Sequence, residues 1–258
     1  MTIEWMDRFV KLMDVISDCP AGGIGITELS KQTLLSKGSL HRMLQNMCGY
    51  HLVVQSAETK KYMLGPKAMS WGSTFLQNRD PVGLLAQYCK QVGDETGLYA
   101  FICRYQANEV FCTHTHQPLS TGANFFVHVG QRMPLNAAAG AQIILAYQPD
   151  EVIDGMLEKE ALHPYTPYTL TDPDQLRRKI EQARQTGEAY CKQELELGTS
   201  ALSVPIFHCK NQALISMSLV GKQHSFDENK DQISKALHQA ADQASDHLSA
   251  MQALSSLF

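Results

Sequence analysis

The stretch Ile26–Leu44 reads ITELSKQTLLSKGSLHRML. Thr27 is suited to cap a short helix carrying Leu29, and Ser36 to cap a second one after the turn Thr33-Leu34-Leu35, because a side-chain oxygen there accepts an orphan N–H of the first turn. Two short helices across such a turn predict a helix-turn-helix. In the second run Leu40, Met43, Leu44 and Met47 recur at i, i+3, i+4 and i+7 and face a small core. The other side then presents Lys37, Gly38, His41, Arg42 and Gln45, with Ser39 beside them. Small, basic and amide side chains near a helix N-terminus suit contacts with base edges and phosphates in a major groove.

Upstream, Trp5, Phe9, Leu12, Met13 and Ile16 form one apolar stripe, so a helix precedes the motif and stops at Cys19-Pro20-Ala21-Gly22-Gly23. Downstream, Leu52–Gln55 and Lys61–Leu64 read as short strands around the polar turn Ser56–Lys60. Helix, helix, turn, helix and hairpin make a winged helix whose wing tip carries Lys60 and Lys61. Pro66 then opens a linker helix over 66–78 with Met69, Trp71, Phe75 and Leu76, whose apolar side chains need a partner.

Charge supports this division. The chain carries 22 Lys and Arg against 26 Asp and Glu, so it is not coated in basic surface and any nucleic-acid contact is local. Within 31–61 the basic residues Lys31, Lys37, Arg42, Lys60 and Lys61 face a lone Glu58, a stripe suited to phosphates. Cys19, Cys48, Cys89, Cys103, Cys112, Cys191 and Cys209 are scattered and odd in number, which fits reduced thiols better than a disulfide framework. With no basic leader at Met1 and no apolar run near the ~18 residues that span a bilayer, the expectation is a cytoplasmic protein with no membrane contact.

Beyond Asp80-Pro81 an amphipathic helix with Leu84, Leu85, Tyr88 and Val92 leads into strands over 98–104, 109–116 and 124–128, then 201–207 and 213–220 joined through Cys209–Gln212. Helical patterns fall at 137–147, 150–159, 172–186 and 227–252. An antiparallel sheet flanked by helices predicts an α+β domain. The expected divisions are 1–65, 66–78 and 79–258.

Ile26–Leu44, with Tyr62-Met-Leu-Gly-Pro66 after it, resembles the helix-turn-helix and wing end of the IclR family of bacterial transcription regulators. Gly130–Gln142, Gly187–Gly198 and Ser200–Phe207 resemble motifs of the same family, so the likeness covers nearly the whole chain. It implies a GAF-like second domain that binds a small-molecule effector, and a homodimer or homotetramer on a double-stranded DNA operator. Carried over by position, the pocket's polar groups come from Asn136, the backbone at Ala139 and Gly140, Cys191, Thr199, Ala201 and Ser218. A helix N-terminus over 136–140 offers unpaired N–H groups to an anion such as a carboxylate.

Departures are informative. Leu34 stands where a turn glycine is usual, Ser36 where proline is, Gly38 where serine is, and Asn136 where histidine is. Ala141-Gln142 replaces Gly-Lys, and Cys191 replaces an acid, which makes that spot less suited to ligand hydroxyl donors. A second reading concerns Cys112, His114 and His116: alternating on a strand, they would share one face and could hold zinc, or could instead be packing and a solvated edge. Sequence motifs for catalysis are absent (no G-x-S-x-G, P-loop or H-E-x-x-H), so the chain reads as a regulator rather than an enzyme, with no cofactor.

Overall fold

The computed structural model describes residues 4–19, 22–77, 82–119, 127–159, 161–209 and 212–255. The chain divides into two compact units, Met1–Arg79 and Asp80–Phe258.

In the first unit α1 (Glu4–Ser17), α2 (Ile26–Thr33) and α3 (Lys37–Gly49) close over one core, followed by the hairpin β1 (Val53–Gln55) and β2 (Tyr62–Leu64) and by α4 (Pro66–Gln77). Leu12 and Ile16 of α1, Leu29 of α2, and Leu40, Leu44 and Met47 of α3 are all buried in that core with Val53 and Tyr62. Their helical spacing explains why these segments fold as helices only when packed together, since each is too short to hold alone. Two sequence expectations need correction. Gly25, extended at φ −82 and ψ 153, is the N-cap of α2, and Thr27 lies within the helix with its side chain exposed. The helix also runs through Thr33, so the turn is Leu34 to Ser36, with Leu34 left-handed at φ 61. At the hairpin's exit only glycine fits position 65, where a Cβ would fall 2.2 Å from the His51 carbonyl oxygen.

The second unit is a three-layer α/β/α sandwich. Its strands are β3 (Tyr99–Gln106), β4 (Glu109–His116), β5 (Ala189–Lys192), β6 (Thr199–Cys209) and β7 (Gln212–Lys222), in the order β4-β3-β7-β6-β5, each pair antiparallel. One face carries α5 (Val82–Thr96) and the long α9 (Gln223–Ser255), which bury Leu85, Val92, Phe226 and Leu237 against Ala100, Ile102 and Val204. The other carries α6 (Ala139–Ala146), α7 (Asp150–Lys159) and α8 (Pro173–Thr186), which pack on Tyr99, Phe101 and Cys103. Alternate residues of β3 thus serve alternate layers, as the two-residue strand period requires. No helix among the described residues is long and apolar enough to cross a membrane.

The short strand β5 was not foreseen. Of the expected strand at 124–128, residues 124–126 lie outside the described residues, and Val127 and His128 are not in a strand. The edge of β4 pairs instead a few residues later: Cys112 N–H donates to the Gln131 carbonyl at 2.9 Å, and Met133 N–H to that of Val110 at 2.8 Å. Residues 210 and 211 of the expected Cys209–Gln212 turn also lie outside the described residues.

Candidate functional site

On α3 the core stripe points one way and the polar residues the other. The Ser36 hydroxyl accepts from the Ser39 N–H at 3.2 Å and so caps the helix. Lys37, Gly38, His41, Arg42 and Gln45 are all exposed, as is Ser36, and Ser39 is half-buried. Nothing lies within 4 Å of where a Gly38 Cβ would sit, so the glycine here is not demanded by packing. Of the stripe's basic residues, Lys31 lies 3.9 Å from Glu28, a long and exposed pairing. The wing tip is tied down: Ser56 N–H donates to the Lys61 carbonyl at 2.9 Å and the Gln55 amide to that of Lys60 at 3.0 Å. Lys60 is left-handed, and both lysine side chains reach solvent.

In the second unit a cavity of about 410 Å³ opens between the sheet and the start of α6. Its walls include Phe101, Met133 and Val220 from the apolar core and the backbone run Ala137–Ala139. Cys191, Glu194, Thr199 and Ala201 close another side. Ala139 is buried, and the N–H groups of Ala139 and Gly140 have no acceptor among the described residues. Burial pushes the Cys191 thiol up to about 12, the nearby Lys179 charge opposing it, so the group is neutral at physiological pH.

Of the residues expected to build the pocket, four line this cavity: Ala139, Cys191, Thr199 and Ala201. The other three stand behind it. Asn136 is turned away, its amide donating to the carbonyls of His163 at 3.0 Å and Leu170 at 2.8 Å. Gly140 lets α6 sit down on the sheet, for a Cβ there would lie 2.9 Å from Cys103 Sγ and 3.1 Å from Ser218 Oγ. Ser218 shares a buried hydrogen bond with Ser203, 2.7 Å between hydroxyl oxygens.

A family model described as the IclR helix-turn-helix domain matches residues 6–57, and one described as the bacterial transcriptional regulator IclR C-terminal matches residues 75–246. The chain belongs to the IclR family of bacterial transcriptional regulators. Within that family it is 25% identical over 227 residues to the transcriptional repressor IclR of Escherichia coli K12, covering 85% of this chain and 80% of the relative. The fold is shared with an IclR regulator from Alicyclobacillus acidocaldarius at a TM-score of 0.79 and 24% identity, covering 96% and 100% of the two chains. It is shared too with an IclR homologue from Microbacterium hydrocarbonoxydans complexed with 4-hydroxybenzoate, at a TM-score of 0.76 and 20% identity over 95% and 99%.

Membership fixes the first unit of this IclR-family chain as a DNA-binding helix-turn-helix. It leaves the proposed metal trio to geometry, which separates it. Cys103 pairs with Cys112 but its neighbour Ile102 pairs with His114, so Thr113 is an extra residue in a β-bulge. The bulge reverses the alternation. Cys112 therefore joins the α6 layer, whereas His116 faces α5, where its Nε2 lies 2.7 Å from Asp94 Oδ1. Burial, with the His116 charge beside it, holds His114 below the usual histidine range. Among the described residues no three His, Cys, Asp or Glu side chains gather where they could hold a metal.

Sequence reasoning passed over the strongest polar contact at the cavity. Lys179 of α8 reaches both Glu194 carboxylate oxygens, at 2.5 and 2.6 Å, and Cys191 Sγ at 3.5 Å. Burial alone would lower Lys179, but Cys191 and Glu194 outweigh it and hold the ammonium above its ordinary range. The available signal was position: Lys179 falls on the same helical stripe as the buried Leu176, Ile180 and Ala183, where a lysine is out of place unless paired. The acid missing at position 191 is thus supplied three residues later.

Proposed function

We propose that this IclR-family regulator is an effector-responsive repressor whose α3 enters the major groove of a double-stranded operator, while Lys60 and Lys61 of the wing contact the flanking backbone. Lys37, His41, Arg42 and Gln45 would read bases or phosphates, with Ser36, Gly38, Ser39 and Thr27 at the periphery of the contact. Repression is favoured because the Escherichia coli relative is a repressor. It would act in the cytoplasm and return its ligand chemically unchanged.

The effector is a small organic acid. The observation carrying this is the buried, unpartnered N–H of Ala139 at the cavity wall, at the N-terminus of α6. A buried donor without an acceptor is costly, and a carboxylate at a helix N-terminus relieves it while meeting the positive end of the helix dipole. The ligand of the Microbacterium homologue, 4-hydroxybenzoate, is itself an organic acid.

Two copies would pair through α4, where Met69 and Trp71 are exposed, placing two recognition helices on a pseudo-palindromic site as a dimer or, with a second pair, a tetramer. The functional divisions would be 1–65 for DNA, 66–78 for pairing and 79–258 for sensing. Effector binding controls DNA only if its affinity differs between the DNA-competent and incompetent states.

Selecting duplexes from a random pool, then titrating the winner by fluorescence anisotropy, tests the DNA half. Arg42→Ala should weaken binding by about 1–3 kcal/mol; unchanged binding removes α3 from the groove. A thermal-shift screen of carboxylates against neutral analogues tests the other half, since a specific ligand raises the melting temperature by mass action. Stabilisation by neutral compounds alone would exclude an acid effector.

A further inference from the structure

We infer that Glu194 is the specificity-determining residue of the cavity, and that the effector carries a hydrogen-bond donor, a hydroxyl or a protonated amine, away from its carboxylate. This rests on the organic-acid reading and adds the second functional group that the ligand must have.

Two charged residues stand at this wall, and they differ in what they have left to offer. Lys179 is spent: its three N–H donors are matched by the two Glu194 oxygens and by Cys191 Sγ, and the residue does not line the cavity. An effector anion has no route to it. Glu194 does line the cavity and is 8% exposed. A carboxylate accepts at roughly four lone-pair positions, two on each oxygen. Lys179 uses one on each, leaving acceptor capacity at the cavity wall.

The carboxylate is also held in place. Its backbone carbonyl accepts from the Thr169 hydroxyl at 2.5 Å, and the Thr166 hydroxyl donates to the neighbouring Gln193 carbonyl at 2.6 Å, so the segment is pinned from the 166–169 turn. Lys179 meets both carboxylate oxygens from the side away from the cavity lining and makes the pair neutral as a whole. It acts as a positioning residue. Glu196, which shares the lining, is exposed and already solvated.

The cavity therefore offers an unpartnered donor at Ala139 and an ionic acceptor at Glu194. A plain hydrocarbon acid satisfies only the first. It would strip water from Glu194 without replacing the lost hydrogen bond, and sites built to bond a ligand hydroxyl or amine discriminate strongly against analogues that lack one.

The test is calorimetric titration of the full chain with matched acids: hexanoate, 6-hydroxyhexanoate and 6-aminohexanoate, and benzoate with 4-hydroxybenzoate. In the unaltered protein a donor-bearing acid is expected to bind roughly ten- to hundred-fold more tightly than its parent, the range for a charge-assisted hydrogen bond. The double variant Glu194→Gln/Lys179→Met removes both charges together, avoiding a lone buried ion. It should bring the two affinities within about two-fold, because the parent acid no longer strips water from a charged acceptor and the donor-bearing acid no longer meets one. Lys179→Arg, which keeps the pair, should preserve the preference, an outcome a merely structural role would not require. Equal binding of parent and donor-bearing acids by the unaltered protein, a comparison that needs no variant, overturns the inference and leaves the organic-acid reading standing. A preference that survives in the double variant does the same. If none of the acids binds, both fall.

Discussion

Ile102 of β3 stands opposite His114 of β4, although the neighbouring Cys103 stands opposite Cys112. The single residue that slips between them, Thr113, is held by its hydroxyl donating to the Ile102 carbonyl at 3.3 Å. One extra residue sends the histidines to one layer and the cysteine to the other, so a shared metal would need the sheet to re-register. Dialysis against a chelator should therefore leave the melting temperature and DNA affinity unchanged, and His114→Ala should behave likewise. Stoichiometric zinc in the dialysed protein, lost on that substitution, would show that the layers do not stay apart.

Periodicity made much of the fold legible, and its failures have local causes. The stripe Leu40, Leu44 and Met47 located α3, and Ser36 announced its cap, because both signals are confined to a few adjacent residues. At α2 the same rule chose Thr27, but Gly25 already had the extended backbone that a cap needs, so the helix began earlier. The period of two along β4 could not reveal the bulge at Thr113, since the extra residue is set by pairing with β3 and leaves no mark on β4 alone. Four cavity residues were placed by resemblance. Lys179 and Glu194 were not, for they lie fifteen residues apart on different elements and matter only as a pair.

Leu34 carries a cost that glycine would remove. It is left-handed at φ 61 and its side chain is 83% exposed, so little packing compensates. A non-glycine residue in that conformation costs of order 1 kcal/mol, part of which Leu34→Gly returns as extra freedom of the unfolded chain. The net expectation is a gain of about 0.5–1 kcal/mol in the first unit. Both tryptophans, Trp5 and Trp71, lie in that unit, so their fluorescence during denaturant unfolding isolates the effect. A loss of stability would mean that Leu34 packs in a way its exposure hides.

Asn136 should matter for stability and not for ligand choice. Its amide satisfies two carbonyls of the 163–170 segment while the residue stays off the cavity lining. Asn136→Ala orphans both acceptors and should cost about 2–3 kcal/mol. Asn136→Asp should be worse at neutral pH, because a carboxylate has no donor and faces two carbonyl oxygens, and should recover in part once acid protonates it. Calorimetric melts across pH compare the two, and a variant that lost the effector preference while keeping its stability would move Asn136 into the recognition site.

Glu188 ties the start of β5 to α9 and predicts how the second unit responds to acid. The side-chain contact with the His238 ring, whose Nε2 lies 3.7 Å away, does most to hold the carboxyl down to about 2. The Ser234 hydroxyl, donating at 2.5 Å, and the Lys230 ammonium at 3.3 Å add to this, while burial opposes it. The folded value lies below the ordinary 4.5, so the stabilisation is fully present above about pH 4.5 and is lost as pH falls toward 2. Because its partners are partly exposed, the contribution at neutral pH is discounted to about 1–2 kcal/mol. Glu188→Gln should lower stability by that amount at pH 7, flatten the acid limb between pH 4.5 and 2, and converge with the unaltered chain near pH 2, as scanning calorimetry of the second unit's transition would record. Parallel curves offset equally at every pH would show that the substitution acts through packing and not through the carboxylate's charge.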